Sequence, residues 1–499
     1  MAWFISFGLS LEASGPWGLS ASLSLPEAKV ESAEREGYSL VKLPGVKHGY
    51  TQEIGLPQLP AFRRIIEVPR GAEVSWELKG ARYEELGVSK PVYPKQPPVP
   101  KSGPRPPFTV KEDFYRRDAY WPQDPVRLTR VGIAHGHELW LLEVFPVAYN
   151  PAKGSLRVLR ECRIEVKFSG GELEEGYTPF DQLVERLAWN RQPLKAVPPL
   201  EIGYLIIVGD QYEDEIAPLA DWKRQKGFRV KVAKTSETGS TADAIKSYIQ
   251  NVYDNWEYPL QFVLLVGDVD VIPNWPGDYA NTDLYYGCLD GSDWVPDVWV
   301  GRLSVSDETE LTRVVQKVLD YERVENWPNL AWAKKAYFMA SDDPFYHYVA
   351  ESTHAYSMRK ARAHGMECDS LWEYYGTGTP IDQALNEGRS QATYSGHGYE
   401  GGWLGPEFTI SDVYSLSNQG MLPLVQSYAC LTGSYAENNE CFMEAWLRAP
   451  GGAVAAWGSS VSSYWEEDDS LQRHVYEWIF DSAVTWLMGF FDGAKVNLL

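Results

Sequence analysis

A histidine, a cysteine and a carboxylate each follow a short apolar run in this chain. Gly396-His397-Gly398 follows Ala392-Thr393-Tyr394-Ser395, and Tyr428-Ala429-Cys430 follows the run from Leu422 to Ser427. Ser341-Asp342-Asp343 follows the run from Ala336 to Ala340. A thiol beside an imidazole makes a nucleophile with its proton-transfer partner. The thiolate attacks, and a nearby imidazolium favours that form. Glycines around the histidine let backbone approach a substrate carbonyl closely. The N–H groups of Gly398 and Cys430 are then candidates for an oxyanion hole. Taken singly these are weak signals. A cysteine at a strand end is usually packing, and a histidine in a loop is usually incidental. Their joint placement is what points to catalysis.

That placement requires a sheet whose strands end on one edge. From Tyr204 onward the chain alternates strand-like and helix-like segments. Tyr204-Leu205-Ile206-Ile207-Val208 and Phe262 to Val266 both end in Gly-Asp, at 209–210 and 267–268. Continuous apolar strands imply burial on both faces, hence a parallel sheet covered by helices. Ligands then bind beyond the carboxyl ends of the strands. Residues 201–499 are read as a doubly wound α/β domain in two halves, 201–330 and 331–499, the second carrying His397 and Cys430.

Residues 1–175 differ. Short β-rich runs such as Glu138-Leu139-Trp140-Leu141-Leu142 are separated by Pro and Gly, predicting a sandwich or barrel. The proline run from Pro91 to Pro107 reads as an extended surface connection. Residues 176–200 read as an exposed linker, with Arg186, Arg191 and Lys195 as candidate processing sites. Met1 to Leu11 is apolar but lacks a basic start, so it reads as a first strand or the remnant of a signal segment.

Composition narrows the function classes. The net charge is −22, without a Lys/Arg cluster, which sets nucleic-acid binding aside. No apolar run reaches the ~20 residues of a membrane helix. The five cysteines, 162, 288, 368, 430 and 441, form no CxxC pair and no disulfide framework. A catalytic metal has no support, since neither HExxH nor clustered histidine occurs. A G-x-S-x-G elbow is absent from the α/β region, which argues against an α/β-hydrolase.

The stretch YSGHGYEGGW (394–403) resembles the histidine motif of gingipain-type cysteine peptidases. SYACLTGSYAENNECFMEAWLRAPGGAVAAWGSSVSSYW (427–465) resembles their cysteine motif and the segment after it. YLIIVGD, FVLLVGDVDVIP, TDLYYG, PDVWVGRLSV and LDYERVENW match in the same order, and GLPQLP with VFPVAYNPAKGSL resembles the family's pro-domain. The resemblance implies a caspase-like fold, a latent zymogen inhibited by its own pro-domain, secretion or cell-surface location, and endopeptidase action on polypeptides. It puts Cys430 as nucleophile, His397 as its partner and Asp343, with Asp342 as the alternative, as the acid that orients the histidine, where the family pattern has Glu in a longer loop. It places Glu351 at the base of a pocket for Arg or Lys and Trp465 on that pocket's wall, with Arg gaining most. Trp403 is either a cleft residue or core. Structural calcium is also implied, although no EF-hand spacing is present; the metal ligands are left unassigned, and no cofactor is expected for catalysis. The rival reading is an inactive peptidase-like module used for binding or surface assembly.

Overall fold

The computed structural model describes residues 8–25, 31–43, 48–172, 177, 180–192, 201–277, 279–436, 439–482 and 484–498. In the amino-terminal region two antiparallel sheets face each other. One is built on the long strand Ser155–Ser169, which pairs with Gly18–Ser24, Val147–Asn150 and Glu73–Gly87. The other has Pro60–Val68 and Val126–Ala134 on either side of His137–Val144. Alternate residues of both sheets, among them Val158, Ile164 and Val166 against Phe62, Ile66 and Leu142, share one core. This period-two burial makes a β-sandwich.

Two parallel sheets follow. The first contains β1 (Gly203–Val208), β2 (Arg229–Lys234), β3 (Leu260–Val266) and β4 (Trp299–Leu303), in the order β2-β1-β3-β4. Its strands explain their own composition. Ile206 and Val208 pack on one side with Ile216, Leu219 and Leu311, while Leu205 and Ile207 pack on the other with Ile245 and Ile249. Both faces are covered by helices there, so Leu205 to Val208 are apolar at every position.

The second sheet contains β5 (Lys335–Ala340), β6 (Glu367–Trp372), β7 (Thr377–Gly378), β8 (Gln391–Ser395), β9 (Leu424–Tyr428) and β10 (Ala455–Gly458). Their order is β7-β6-β5-β8-β9-β10, all parallel except the short edge strand β7. Strand order reverses between β5 and β8, which opens a crevice beyond their carboxyl ends. Among the described residues no helix is long and apolar enough to cross a membrane.

Candidate active site

The three residues singled out in the sequence leave the sheet around this reversal. Ala340 pairs with Ser395, and Ser395 with Tyr428. His397 and Cys430 each lie two residues beyond those paired positions, so the register that joins β8 to β9 puts both at the same level past the strand ends. The Gly396 N–H donates to the Tyr428 carbonyl at 3.3 Å, continuing the ladder past the strands. The chain then turns into a hairpin, His397–Tyr399 against Gly402–Leu404. A Cβ at Gly398 would stand 2.9 Å from both the Ala429 methyl and Thr432 Cγ2, and 3.0 Å from the Cys430 carbonyl oxygen. Only glycine lets the histidine hairpin press this closely on the cysteine loop.

His397 Nε2 lies 2.8 Å from Asp343 Oδ2. Asp343 Oδ1 accepts from the N–H groups of Phe345 and Tyr346, each at 2.7 Å. Burial raises the Asp343 pKa, but the hydrogen bonds from His397 and those two N–H groups outweigh it, leaving the carboxyl below its ordinary 3.8. A fixed carboxylate on Nε2 leaves Nδ1 as the nitrogen free to exchange a proton. The ring stands edge-on to Trp465, centroids 5.5 Å apart.

Cys430 is fully buried. Its loop is held in an unusual backbone: Leu431 has φ of +60°, a left-handed conformation that a branched side chain adopts at a cost. The Leu431 N–H donates to the Val461 carbonyl at 3.1 Å, and the Met443 N–H to the Thr432 carbonyl at 3.0 Å. Met443 lies at the start of helix Phe442–Arg448, which Cys441 and Glu444 cap reciprocally. At its far end the buried Lys317 ammonium donates to the carbonyls of Trp446, Leu447, Ala449 and Gly451. Burial pushes the Lys317 pKa down to about 7, yet four carbonyls at a helix C-terminus favour the charged form. The Ser463 N–H donates to Cys430 Sγ at 3.3 Å.

The proline run lies across this crevice instead of serving as a surface connection. Pro100 bridges Tyr464 in antiparallel fashion. The Lys101 N–H donates to the Ser463 carbonyl at 2.9 Å, and the Trp465 N–H to the Val99 carbonyl at 3.1 Å. Ser102 Oγ is 3.5 Å from Cys430 Sγ, so the residue that follows Lys101 meets the sulfur. The Lys101 side chain is buried completely. Its ammonium meets the Tyr428 carbonyl at 2.5 Å, Ser395 Oγ at 3.2 Å and Asp468 Oδ2 at 2.7 Å. The Asp468 contact lies off the hydrogen-bond axis and acts as an ion pair. Two hydrogen-bond acceptors and one off-axis carboxylate thus surround the ammonium. The indole of Trp465 lies 5.1 Å from Nζ, a cation–π distance. Asp468 is in the first turn of helix Trp465–Asp481, where the helix dipole favours an anion.

Several expectations are corrected by these contacts. Glu351 is not at the pocket base; it holds His347 Nδ1 at 2.8 Å on the same helix. His354, the neighbour that suggested Glu351, is buried against the Met339 carbonyl and Gln472. The carboxylate that meets the Lys101 ammonium is Asp468, three residues after Trp465 and one helical turn on. Trp403 is core, wholly buried, with its indole N–H on Ser427 Oγ at 2.9 Å. In the linker, Arg186 sits on helix Asp181–Leu187 and Arg191 is tied to Glu67 and Asp181, so neither lies in an open strand ready for cutting. Lys195 lies outside the described residues. All five cysteines are unpaired. Among the described residues no group of three or more His, Cys, Asp or Glu side chains is arranged to hold a metal ion, so no ligand set is assigned to calcium.

Comparison with known proteins agrees with this geometry. Residues 198–497 match the model of peptidase family C25, and residues 29–177 match that of the C25 propeptide. Lys-gingipain of Porphyromonas gingivalis is 29% identical over 507 residues, an alignment spanning 96% of this chain and 29% of the relative. Gingipain R2 of the same organism is 26% identical over 488 residues, spanning 89% of this chain and 64% of the relative. The chain therefore spans well under two thirds of the length of its Lys-gingipain relatives. The complex of Porphyromonas gingivalis RgpB pro- and mature domains superposes with a TM-score of 0.53 at 26% identity, over 59% of this chain and 74% of that one. The two-sheet α/β region is thus of the caspase-like kind, and the chain belongs to peptidase family C25, with that family's propeptide ahead of its peptidase region.

Proposed function

We propose that the chain is a cysteine endopeptidase that cuts after lysine, acts outside the cell, and is kept latent by its own amino-terminal domain. One observation carries the reading. A lysine from the β-sandwich domain is laid along the crevice as a strand, with its ammonium sealed in a pocket and the hydroxyl of the next residue beside Cys430.

In this reading a polypeptide adds a strand to residues 463–465, the backbone bonding fixing its register. His397 Nδ1 takes the thiol proton, and Sγ attacks the carbonyl carbon of the lysine residue. The oxyanion is met by backbone N–H groups, for which Gly398 and Cys430 are the proposed donors. The tetrahedral intermediate collapses, the C–N bond breaks, and the leaving amine takes the proton from His397. A water, deprotonated by His397, then hydrolyses the thioester and regenerates the thiol. Asp343 fixes the ring through Nε2, which leaves Nδ1 as the nitrogen for the thiol proton. The pocket favours lysine over arginine because two hydrogen-bond acceptors and a carboxylate converge on one point, which suits a compact ammonium. A guanidinium carries five N–H groups in a plane and gains most from a bidentate carboxylate. Asp468, met off-axis, gives no such fork.

Latency follows from occupancy: with Val99 to Ser102 in the crevice, no substrate reaches Cys430. The test is a set of matched peptides with Lys, Arg, Leu or Asp before the scissile bond, assayed before and after the linker is cut. Cutting after Lys alone, appearing only once the linker is cut, is expected. If the cut chain hydrolyses none of them and Cys430 stays inert to iodoacetamide, the binding-module reading replaces this one.

A further inference from the structure

We propose that the crevice also selects an apolar side chain two residues before the lysine. The inference rests on the lysyl-peptidase reading above. Strand geometry sends alternate side chains to opposite sides. On the segment paired with residues 463–465, Lys101 points into the pocket, Pro100 faces away, and Val99 turns inward again. There Val99 joins the small cluster of Ala340, Ala350 and Trp465, with Tyr346, Val349 and Trp372 packed around it. The two inward positions share Trp465, whose ring also stacks on Tyr346 at 5.4 Å and 16°. The Trp465 N–H holds the Val99 carbonyl at 3.1 Å, so backbone bonding fixes this residue's place as firmly as that of Lys101.

The side chains packed around Val99 in this cluster are apolar or aromatic, and Val99 is only half-buried among them. A β-branched or aliphatic residue covers apolar surface there at no polar cost. An aspartate would face the indole and the valine without a partner. Selection is therefore for apolar over charged or absent side chains, and modest in size because burial is partial. The pocket for the cation sets which bond is cut; this second site ranks lysines against one another.

The test uses the full chain, activated by cutting its linker, on peptides X-Pro-Lys with X as Val, Gly or Asp and a fluorogenic leaving group. The Val peptide should exceed the Gly and Asp peptides by about 5- to 10-fold in kcat/KM, the range expected for burying half a valine. In the Val349→Asp variant that ratio should collapse toward one, and Val349→Leu should restore it. A ratio between substrates is not moved by a general loss of folded enzyme. Equal rates for the three peptides in the parent chain, or an unchanged ratio in Val349→Asp, would overturn the second site while leaving lysine cutting intact. Failure to cut any lysyl peptide would overturn the parent reading, and this one with it.

Discussion

The two parallel sheets obey the same construction rule and are put to different uses. In the first, Asp210 follows β1 and Asp268 follows β3, both just past a strand end. Asp210 accepts from Thr235 Oγ1 at 2.8 Å and from the Ser236 N–H at 3.0 Å. Asp268 binds the Arg448 guanidinium at 2.8 Å. In the second sheet Asp343 is equally well bonded, yet its partner is a histidine with one nitrogen still free. Cys430 and Asp468 face a segment that comes from another domain. A strand-end position supplies access to a crevice; chemistry needs a residue whose bonding capacity the fold has not consumed.

Substitutions can break or sharpen that contrast. The largest effect is expected at the proposed nucleophile: Cys430→Ala should lower kcat/KM on a lysyl peptide by roughly 10³-fold or more, with circular dichroism unchanged. His397→Ala should do nearly the same, since members of a catalytic unit are not additive. Substantial residual turnover in either would erase the distinction between the sheets. Next, Asp468→Asn should lower the rate on lysyl peptides by roughly 10- to 100-fold, the worth of a charge-assisted contact. Glu351→Gln should leave it within about twofold.

In the uncut chain, Lys101→Ala should raise activity toward the level of the cut protein, by roughly tenfold, because the pocket loses its occupant. Activity before and after linker cleavage, measured on the same sample, reads this directly. Asp343→Asn should cost about 10-fold through loss of ring orientation. It also has a pH signature. The folded Asp343 carboxyl titrates below its ordinary 3.8, so its contribution to stability is present above that value and is lost as pH falls through the lower folded one. Thermal melts of parent and variant should differ at pH 7 and at pH 5, and the difference should shrink as pH falls below 3.8. The smallest effect belongs to the first sheet: Asp210→Ala should change kcat/KM by less than about twofold.

Much of this was readable from residue order. The strands declared themselves because a sheet buried on both faces must be apolar throughout, as Leu205 to Val208 are. His397 and Cys430 were legible because both follow such strands by two residues. Glu351 failed because spacing along a helix fixes a residue's face only when the contact on that face is known, and its face holds His347. Trp403 was ambiguous because an indole suits a cleft wall or a core equally, and only its bond to Ser427 decides. Lys101 was hidden by its surroundings. Prolines predict an extended, solvated chain, and that same lack of internal hydrogen bonding leaves backbone groups free to pair with residues 463–465. Nothing within the run reveals a partner more than 360 positions away.

The segment that fills the crevice is covalently part of the chain it occupies. While the linker is whole, Lys101 returns to its pocket by a unimolecular step, at an effective concentration of the order of millimolar. Total protein concentration does not enter. Once the linker is cut, the same contacts become those of two separate molecules, and rebinding slows in proportion to dilution. The cut is therefore not the moment of activation in a concentrated sample; dispersal is. A freshly cut preparation held at high concentration should stay quiet and awaken on dilution, with a lag set by how fast the sandwich domain leaves.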